Sequence, residues 1–468
     1  TASLRADGSS KFAPGNQWGY FPSAAVAWRI SQEEFMKSSE EWLSNLKLRF
    51  SFGASGNNRI SNDLYRYVYS VSSPPKMYGI NGVEQAIMTP SSALPNPELK
   101  WETTVTRNLG VDFGFFNNRL SGSVDVYWNT TKDLLIGASI PASSGFSSQF
   151  QNIGKTSNRG VEVVLDGVLV DKKNFRLLLS ANLSYNKNRV DALGYAQTML
   201  QGSGWESTIS GVGDYLVEVG KPIGQVYGYR CDGFYTVDDF NYTYDPDSGT
   251  ATWTPKDGVE SLPYGGSPMP GAMKIRDLNG DGKIDSSDRE VLGCVQPTVT
   301  GGFNLSATFY GVDVAAYFNY SIGNKVYNAN KIEFTSTFNT RRYGNHLGIM
   351  RDRFTYIDKQ TGTTLLNDID ALRAANANAK IWTPVNITRG VMTDWALEDA
   401  SFLRLSNVTV GYTLPEKWTK KIGMSRFRVY VTGTNLFCLT DYSGYDPEVD
   451  TRRSTPLTPN VDYSAFPR

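Results

Sequence analysis

The sequence predicts an all-β chain, an antiparallel transmembrane β-barrel with long extracellular loops and short periplasmic turns. Three observations predict it. In 468 residues, aromatics make up 13%, Tyr (26) exceeds Phe (23) and Gly reaches 44, a composition of many short strands and turns more than of packed helices. Apolar and polar residues alternate with period two in one segment after another. No run approaches the roughly 18 apolar residues of a spanning helix, so a membrane form of this chain is a barrel, which pairs every backbone polar group in lipid.

The strands follow in order. Residues 1–7, 22–31 and 44–54 supply the first three. In 101–115, Val105, Leu109, Val111 and Phe113 lie on one face, with Thr104, Thr106, Asn108 and Asp112 on the other. A tight turn at Phe116–Arg119 leads into Leu120, Val124, Val126 and Trp128 against Ser121, Ser123, Asp125 and Asn129, so the pair reads as a hairpin. The pattern returns at 158–169 and 174–187, where Phe175, Leu177, Leu179, Ala181, Leu183 and Tyr185 oppose Arg176, Ser180, Asn182 and Ser184. It returns again across 299–322 and at 401–414 with 424–437. The total is about eleven strands of roughly bilayer-spanning length.

Connections at 32–43, 115–119, 170–174, 310–311 and 415–423 are short, and those at 55–98, 131–157, 188–298 and 323–400 are long. This alternation is the topology of outer-membrane barrels, whose short turns face the periplasm. A soluble β-sandwich or jelly roll also alternates apolar and polar residues. Loops of about 110 and 80 residues inside a compact domain argue against it. So do the aromatics near strand ends, Phe115-Phe116, Tyr127-Trp128 and Phe309-Tyr310, with Tyr317-Phe318 further along, which suit interfacial girdles.

Lys+Arg and Asp+Glu balance at 46 each, which gives no support to a nucleic-acid partner. The single histidine, His346, and the three cysteines, Cys231, Cys294 and Cys438, have none of the spacings of a zinc site. Cys231 and Cys294 fall in one long loop, where pairing and free thiols both stay open. The opening Thr-Ala-Ser-Leu-Arg has no features of a signal peptide.

Several segments, in order along most of the chain, resemble the SusC/RagA family of TonB-linked outer-membrane transporters. They are Leu4–Ser10, Trp18–Ser23, Ala27–Ser31, Leu46–Asn57, Asn152–Lys155, Asn158–Glu162, Ser401–Leu405, Asn435–Phe437 and Tyr445–Glu448. The resemblance implies a 22-stranded barrel around an N-terminal plug. It implies import of a nutrient, an oligosaccharide or in some members an oligopeptide, across the outer membrane of a Gram-negative bacterium. A SusD-like surface lipoprotein would act as lid, and the TonB–ExbB–ExbD complex would supply energy through the plug. Against that pattern, residues 1–468 are expected to be the C-terminal half of the barrel, without the plug and, ending at Phe466-Pro467-Arg468, without the closing strand.

One motif carries sharper chemistry. Residues 277–288, inside the 188–298 loop, read DLNGDGKIDSSD, the spacing of a calcium loop. Asp277, Asn279 and Asp281 occupy loop positions one, three and five, the Lys283 carbonyl seven, and Asp285 and Asp288 nine and twelve, with Gly282 at the sharp turn and Ile284 as apolar anchor. A hard cation needs several oxygens converging at about 2.3–2.6 Å, and this spacing can supply them. Asp288 is shorter than the usual Glu. The expected cofactor is therefore a structural Ca²⁺, set against a plain solvated Asp/Asn/Gly turn.

No nucleophile elbow, His-rich set or phosphate loop is present, and Asp238-Asp239 reads as a solvated pair, so no enzyme is expected. Tyr227, Tyr229, Phe234 and Tyr235 could stack on sugar rings, but they fit a packed hairpin better, and no substrate ligand is assigned. The rival reading is a secreted or surface-exposed β-protein, an adhesin or a binder of glycan or calcium, without transport activity.

Overall fold

The computed structural model describes residues 1–468 except 72–76, 81–82, 87, 206–212, 261, 263–266, 338–343, 386, 388–389, 452–455 and 464–468, so Phe466–Arg468 lie outside the described residues. Eleven strands form one antiparallel meander in which each pairs with the next in sequence. They are β1 (Ala2–Gly8), β2 (Trp18–Trp28), β3 (Leu43–Asn57), β4 (Glu102–Phe115), β5 (Leu120–Ser139), β6 (Ser148–Lys172), β7 (Phe175–Leu193), β8 (Val299–Phe309), β9 (Val312–Ile322), β10 (Phe402–Thr413) and β11 (Arg428–Thr440).

All eleven expected strands are present, with shifts that have physical reasons. β2 starts at Trp18 and ends at Trp28, and 3-10 turns over Ile30–Gln32 and Glu34–Ser39 carry the chain to β3. The expected long loop at 131–157 is mostly strand. β5 and β6 stay paired from Leu120↔Gly167 out to Ser139↔Ser148. Thr130, Thr131, Thr156 and Ser157 are small and polar, so the ladder continues where the apolar alternation has stopped. Between β4 and β5 the turn runs through left-handed backbone at Phe116, Asn117 and Asn118, which the asparagines tolerate well. Tyr310-Gly311 makes a two-residue turn of the same hand between β8 and β9.

Register fixes the faces. Phe50, Leu109, Val126, Val161 and Tyr185 lie in one row, with Leu48, Val111, Val124, Val163 and Leu183 in the next, and this apolar face is the outward one. Arg49, Asp112, Asp125, Glu162 and Ser184 face inward. The girdle expectation divides accordingly. Trp128 is outward, whereas Tyr127 points inward and its hydroxyl donates to Asn186 Oδ1 at 3.0 Å. Phe318 is outward, stacked 4.6 Å from Phe303, and Tyr317 is inward.

The inward face is braced across strands. Arg49 on β3 reaches Asp112 on β4 at 2.7 Å and Asp125 on β5 at 3.0 Å. It crosses Gly110, where a Cβ would collide with the Arg49 guanidinium and with Asp125. Arg428 on β11 reaches Asp313 on β9 at 2.9 Å, crossing Gly411 on β10 in the same way.

The 401–414 pattern hides a phase slip. Tyr317 pairs with Asn407 but Phe318 with Leu405, so Ser406 is skipped, and opposite it Asn435 and Leu436 are skipped on β11. This bulge keeps both Leu405 and Val408 outward, and Asn435 takes the left-handed φ of 50° that it requires.

Candidate functional site: the packed layer beyond the strand ends

The connections β7–β8 (194–298) and β9–β10 (323–401) do not behave as loose loops. They share a core that includes Tyr235, Phe240, Trp253, Ile275 and Ile284 from the first and Phe354, Leu372, Ile381 and Trp382 from the second. A second core joins Trp205, Tyr215, Val226, Leu292 and Val295 to Tyr327, Ile332, Met392 and, from the chain's last segment, Val461. Small sheets tie these pieces together: Thr198–Gln201, Tyr215–Glu218, Gln225–Gly228 and Glu290–Cys294 in one, and Lys325–Asn328 flanked by Leu397–Asp399 and Val461–Asp462 in another.

Polar groups buried in the layer are paired across long stretches of sequence. Trp205 Nε1 donates to Glu333 Oε1 at 3.0 Å, and Tyr215 Oη to the Pro459 carbonyl at 2.6 Å. The fully buried Asp462 accepts from Asn330 Nδ2 at 2.9 Å and from Tyr442 Oη at 2.7 Å. Burial holds its carboxyl above the ordinary value of 3.8. At the junction with the barrel, Arg404 of β10 meets Asp446 at 2.7 Å and Glu448 at 3.2 Å. Two of the segments that carried the family resemblance, Ser401–Leu405 and Tyr445–Glu448, are thus two halves of one buried ion pair.

The calcium-type segment lies between the two cores. Ile284 enters the first, 5% exposed, and Leu292 the second. Asp277 accepts from the amides of Gly280 at 2.7 Å and Gly282 at 2.8 Å, and those amides hold its carboxyl below the ordinary range. Asn279 accepts from Asp281 N and Asp281 from Lys283 N, both at 2.9 Å. Asp288, fully buried, accepts from Leu278 N at 2.9 Å and Asp285 N at 2.8 Å, closing the loop from end to end. The donor set is all oxygen, which suits a hard cation. Its side chains are engaged with the loop's own amides, however, and among the described residues no three His, Cys, Asp or Glu side chains converge as a metal group.

Next to the loop, Arg289 donates to the Tyr227 carbonyl at 3.1 Å and lies 4.6 Å over the Tyr227 ring. Arg230 spans Glu290 at 2.6 Å and Asp394 at 3.2 Å. Tyr229 and Phe234 pack against the first core and Tyr235 is buried in it, so these aromatics are structural. They do not form a hairpin with each other, because Gln225–Gly228 pairs with Glu290–Cys294 and Cys231–Phe234 with Met273–Ile275. Cys231 and Cys294 are unpaired, and burial pushes the Cys231 thiol up to about 12. Asp239 caps a turn by accepting from Thr236 N at 2.6 Å, and Asp238 pairs with Arg373 at 2.8 Å. An open cavity of about 500 Å³ lies beside Lys331, Phe334, Leu347, Ile349 and Tyr445, a feature that local sequence does not signal because its walls come from segments far apart.

Residues 1–257 match the family model described as TonB dependent receptor-like, beta-barrel. TonB-dependent receptor P3 of Formosa agariphila is 31% identical over 471 residues, which cover 100% of this chain and 42% of that protein. TonB-dependent receptor SusC of Bacteroides thetaiotaomicron is 29% identical over 485 residues, covering 100% and 41%. The RagAB peptide transporter structure superposes with a TM-score of 0.69 at 26% identity over 98% of this chain and 43% of that one. In its 'closed-closed' state the RagAB peptide importer gives 0.70. The chain therefore spans about two fifths of the length of these relatives.

Proposed function

The chain belongs to the TonB-dependent receptor β-barrel family, and from that premise we propose that it forms part of an outer-membrane importer that takes up an oligosaccharide under a SusD-like lipoprotein lid, energised by the TonB–ExbB–ExbD complex. The observation that carries this reading is the two-core layer on the side of the long connections. A wall of strands needs no such layer to stay in a membrane. A receptor that must hold a large solute and a lid above its opening does. The similarity to a named peptide importer favours an oligopeptide as the second reading. Growth of a deletion strain on single oligosaccharides and on peptides as sole nutrients separates the two. Unimpaired growth on every nutrient that the parent strain uses would set both aside and favour a surface adhesin.

Within this function, Asp277, Asn279, Asp281, Asp285 and Asp288 with the Lys283 carbonyl hold a structural Ca²⁺ that fastens the two cores to each other. Support comes from the position-by-position spacing and from the anchoring of Ile284 and Leu292 on either side. The Asp277→Ala/Asp281→Ala variant should be cut by protease in 194–298 as readily with calcium as the parent is with chelator. If chelator leaves the parent's resistance unchanged, the segment is a turn and holds no ion.

A further inference from the structure

Adjacent strands carry a cation or an aromatic ring at the same height of their outward series. On β4 the outward residues run Phe113, Val111, Leu109 and then Arg107, with Val105 beyond it; on β6 they run Leu165, Val163, Val161 and then Arg159. On β7 they run Ala181, Leu183, Tyr185 and then Lys187, while β5 gives Val124, Val126 and then Trp128. Register places Arg107 opposite Trp128, Trp128 opposite Arg159, and Arg159 opposite Lys187, so these four form one row. Further along, Lys132 stands opposite Lys155, and all six side chains are exposed.

The row sits at a definable height. From Leu120 to Trp128 the strand climbs roughly 26 Å at about 3.3 Å per residue. A tilt of about 40° turns that into roughly 20 Å, near the top of an apolar band about 25 Å tall. Trp128 and Tyr185 belong at that boundary, where one end of an aromatic ring is apolar and the other wet.

These cations differ from the arginines of the inward face. Arg49, Arg404 and Arg428 hold carboxylates. Among the described residues, Arg107, Arg159, Lys187, Lys132 and Lys155 have no carboxylate within 4.0 Å. The neighbouring acids are engaged elsewhere: Asp191 with Arg189 at 3.6 Å and Asp133 with Lys100 at 3.0 Å. Unneutralised cations along the edge of a lipid-facing surface are left for a ligand from the membrane itself. Strands about 4.8 Å apart spread the row over roughly 14 Å, more than one phosphate spans.

We propose that Arg107, Arg159 and Lys187, with Trp128 between them, bind the headgroup of an outer-leaflet lipid that carries more than one phosphate. The two guanidinium groups grip phosphate oxygens through paired N–H donors, and Lys187 adds a point charge at the end of the row. The acyl chains lie against Leu109, Val126 and Val161 directly below. This rests on the reading of the apolar face as the one in lipid.

The test uses the full-length protein extracted from outer membranes into neutral detergent and titrated with bisphosphorylated lipid A or its dephosphorylated form, with retained lipid counted by native mass spectrometry. The wild type should prefer the phosphorylated form and lose it as salt is raised. The Arg107→Gln/Arg159→Gln/Lys187→Gln variant should retain it roughly 100-fold less well, from roughly fivefold per cation removed at an anionic surface. Equal retention by that variant, or of the dephosphorylated lipid, overturns the proposal. If the variant does not assemble, salt-insensitive retention by the wild type overturns it instead. A nitroxide at Val163 separates this outcome from failure of the membrane reading. Protected from an aqueous nickel chelate but open to oxygen, it keeps the face in lipid whatever the headgroup result; exposed to the chelate, it removes the premise.

Discussion

Removing the Arg404 guanidinium should loosen the chain's last segment from the barrel. Both side chains of the Arg404–Asp446 pair are 9% exposed, at 2.7 Å, while Glu448 is half exposed and adds little. In Arg404→Ala, Asp446 keeps the amide of Glu448 at 2.9 Å but stays buried without its arginine. Breaking a buried pair on one side costs about 3–5 kcal/mol, because the remaining buried charge loses its arginine. If that cost falls on local opening, amide exchange between Tyr442 and Thr451 should accelerate by at least about 100-fold, since 1.4 kcal/mol is tenfold. Hydrogen exchange read by mass spectrometry measures this on the membrane-embedded protein without global unfolding. Asp446→Asn added to Arg404→Ala removes the stranded charge and should restore most of the protection. Unchanged exchange in Arg404→Ala, or no recovery in the double variant, would refute a buried-charge mechanism.

Gly110→Val places side-chain atoms where Arg49 crosses the strand, with Cζ 2.8 Å from the new Cβ, and should cost about 1–3 kcal/mol, seen as a lower temperature of gel-mobility change; an unaltered midpoint would show that the brace relaxes freely. Asn435→Val puts a β-branched residue at φ 50° and should destabilise by about 1–2 kcal/mol in thermal unfolding, whereas Asn435→Gly should be close to neutral. The raised pKa of Asp462 means that the folded layer binds its proton more tightly than the unfolded chain does. Its contribution is therefore most favourable below 3.8 and is lost as pH rises through the raised value. Protease resistance of Asp462→Asn, which removes the charge, should exceed that of the parent at neutral pH and converge with it on acidification; a constant difference would rule this out. Cys231, its thiol raised to about 12, should resist alkylation in the folded protein, and non-reduced peptide maps should contain no link to Cys294.

What was legible in the sequence follows what is local. Strand alternation is a contrast between lipid and lumen at every second residue, so it could be read along each of the eleven strands, and it faded at Thr130 and Ser157, where both faces meet water. The calcium-type spacing was readable because its oxygen-bearing residues lie within one twelve-residue segment, 277–288. The phase slip at Ser406 was not, since a bulge adds a residue without breaking the run of apolar and polar letters on either side. The loop cores were hidden for a different reason. Trp205 and Glu333 are 128 residues apart, and Tyr215 and Pro459 are 244 apart, so nothing near either partner announces the other.

The same distinction explains where the hydrophobic core lies. Along the strands, Leu48, Leu109, Val126 and Val163 need no protein partner, because lipid is as apolar as any side chain. Beyond the strand ends water returns, and burial again depends on protein packing against protein. The long connections accordingly bring Trp205, Tyr215, Tyr235, Tyr327 and Trp382 inside, each 4% exposed or less. A layer folded in this way resists deformation, since dense cores shift between discrete arrangements and do not stretch. Any movement of the 194–298 and 323–401 connections would therefore occur between the two cores, where the segments from Ile284 to Leu292 and from Val391 to Trp395 pass from one to the other. A seat of two rigid cores under the proposed lid is a different mechanical object from a set of flexible loops. Crosslinking Tyr327 to Val461, which pair within the second core, should leave the proposed transport intact, whereas a crosslink from Tyr229 on the first core to Thr393 beside Met392 of the second should stop it. Loss of transport from the first crosslink would mean that the layer deforms internally.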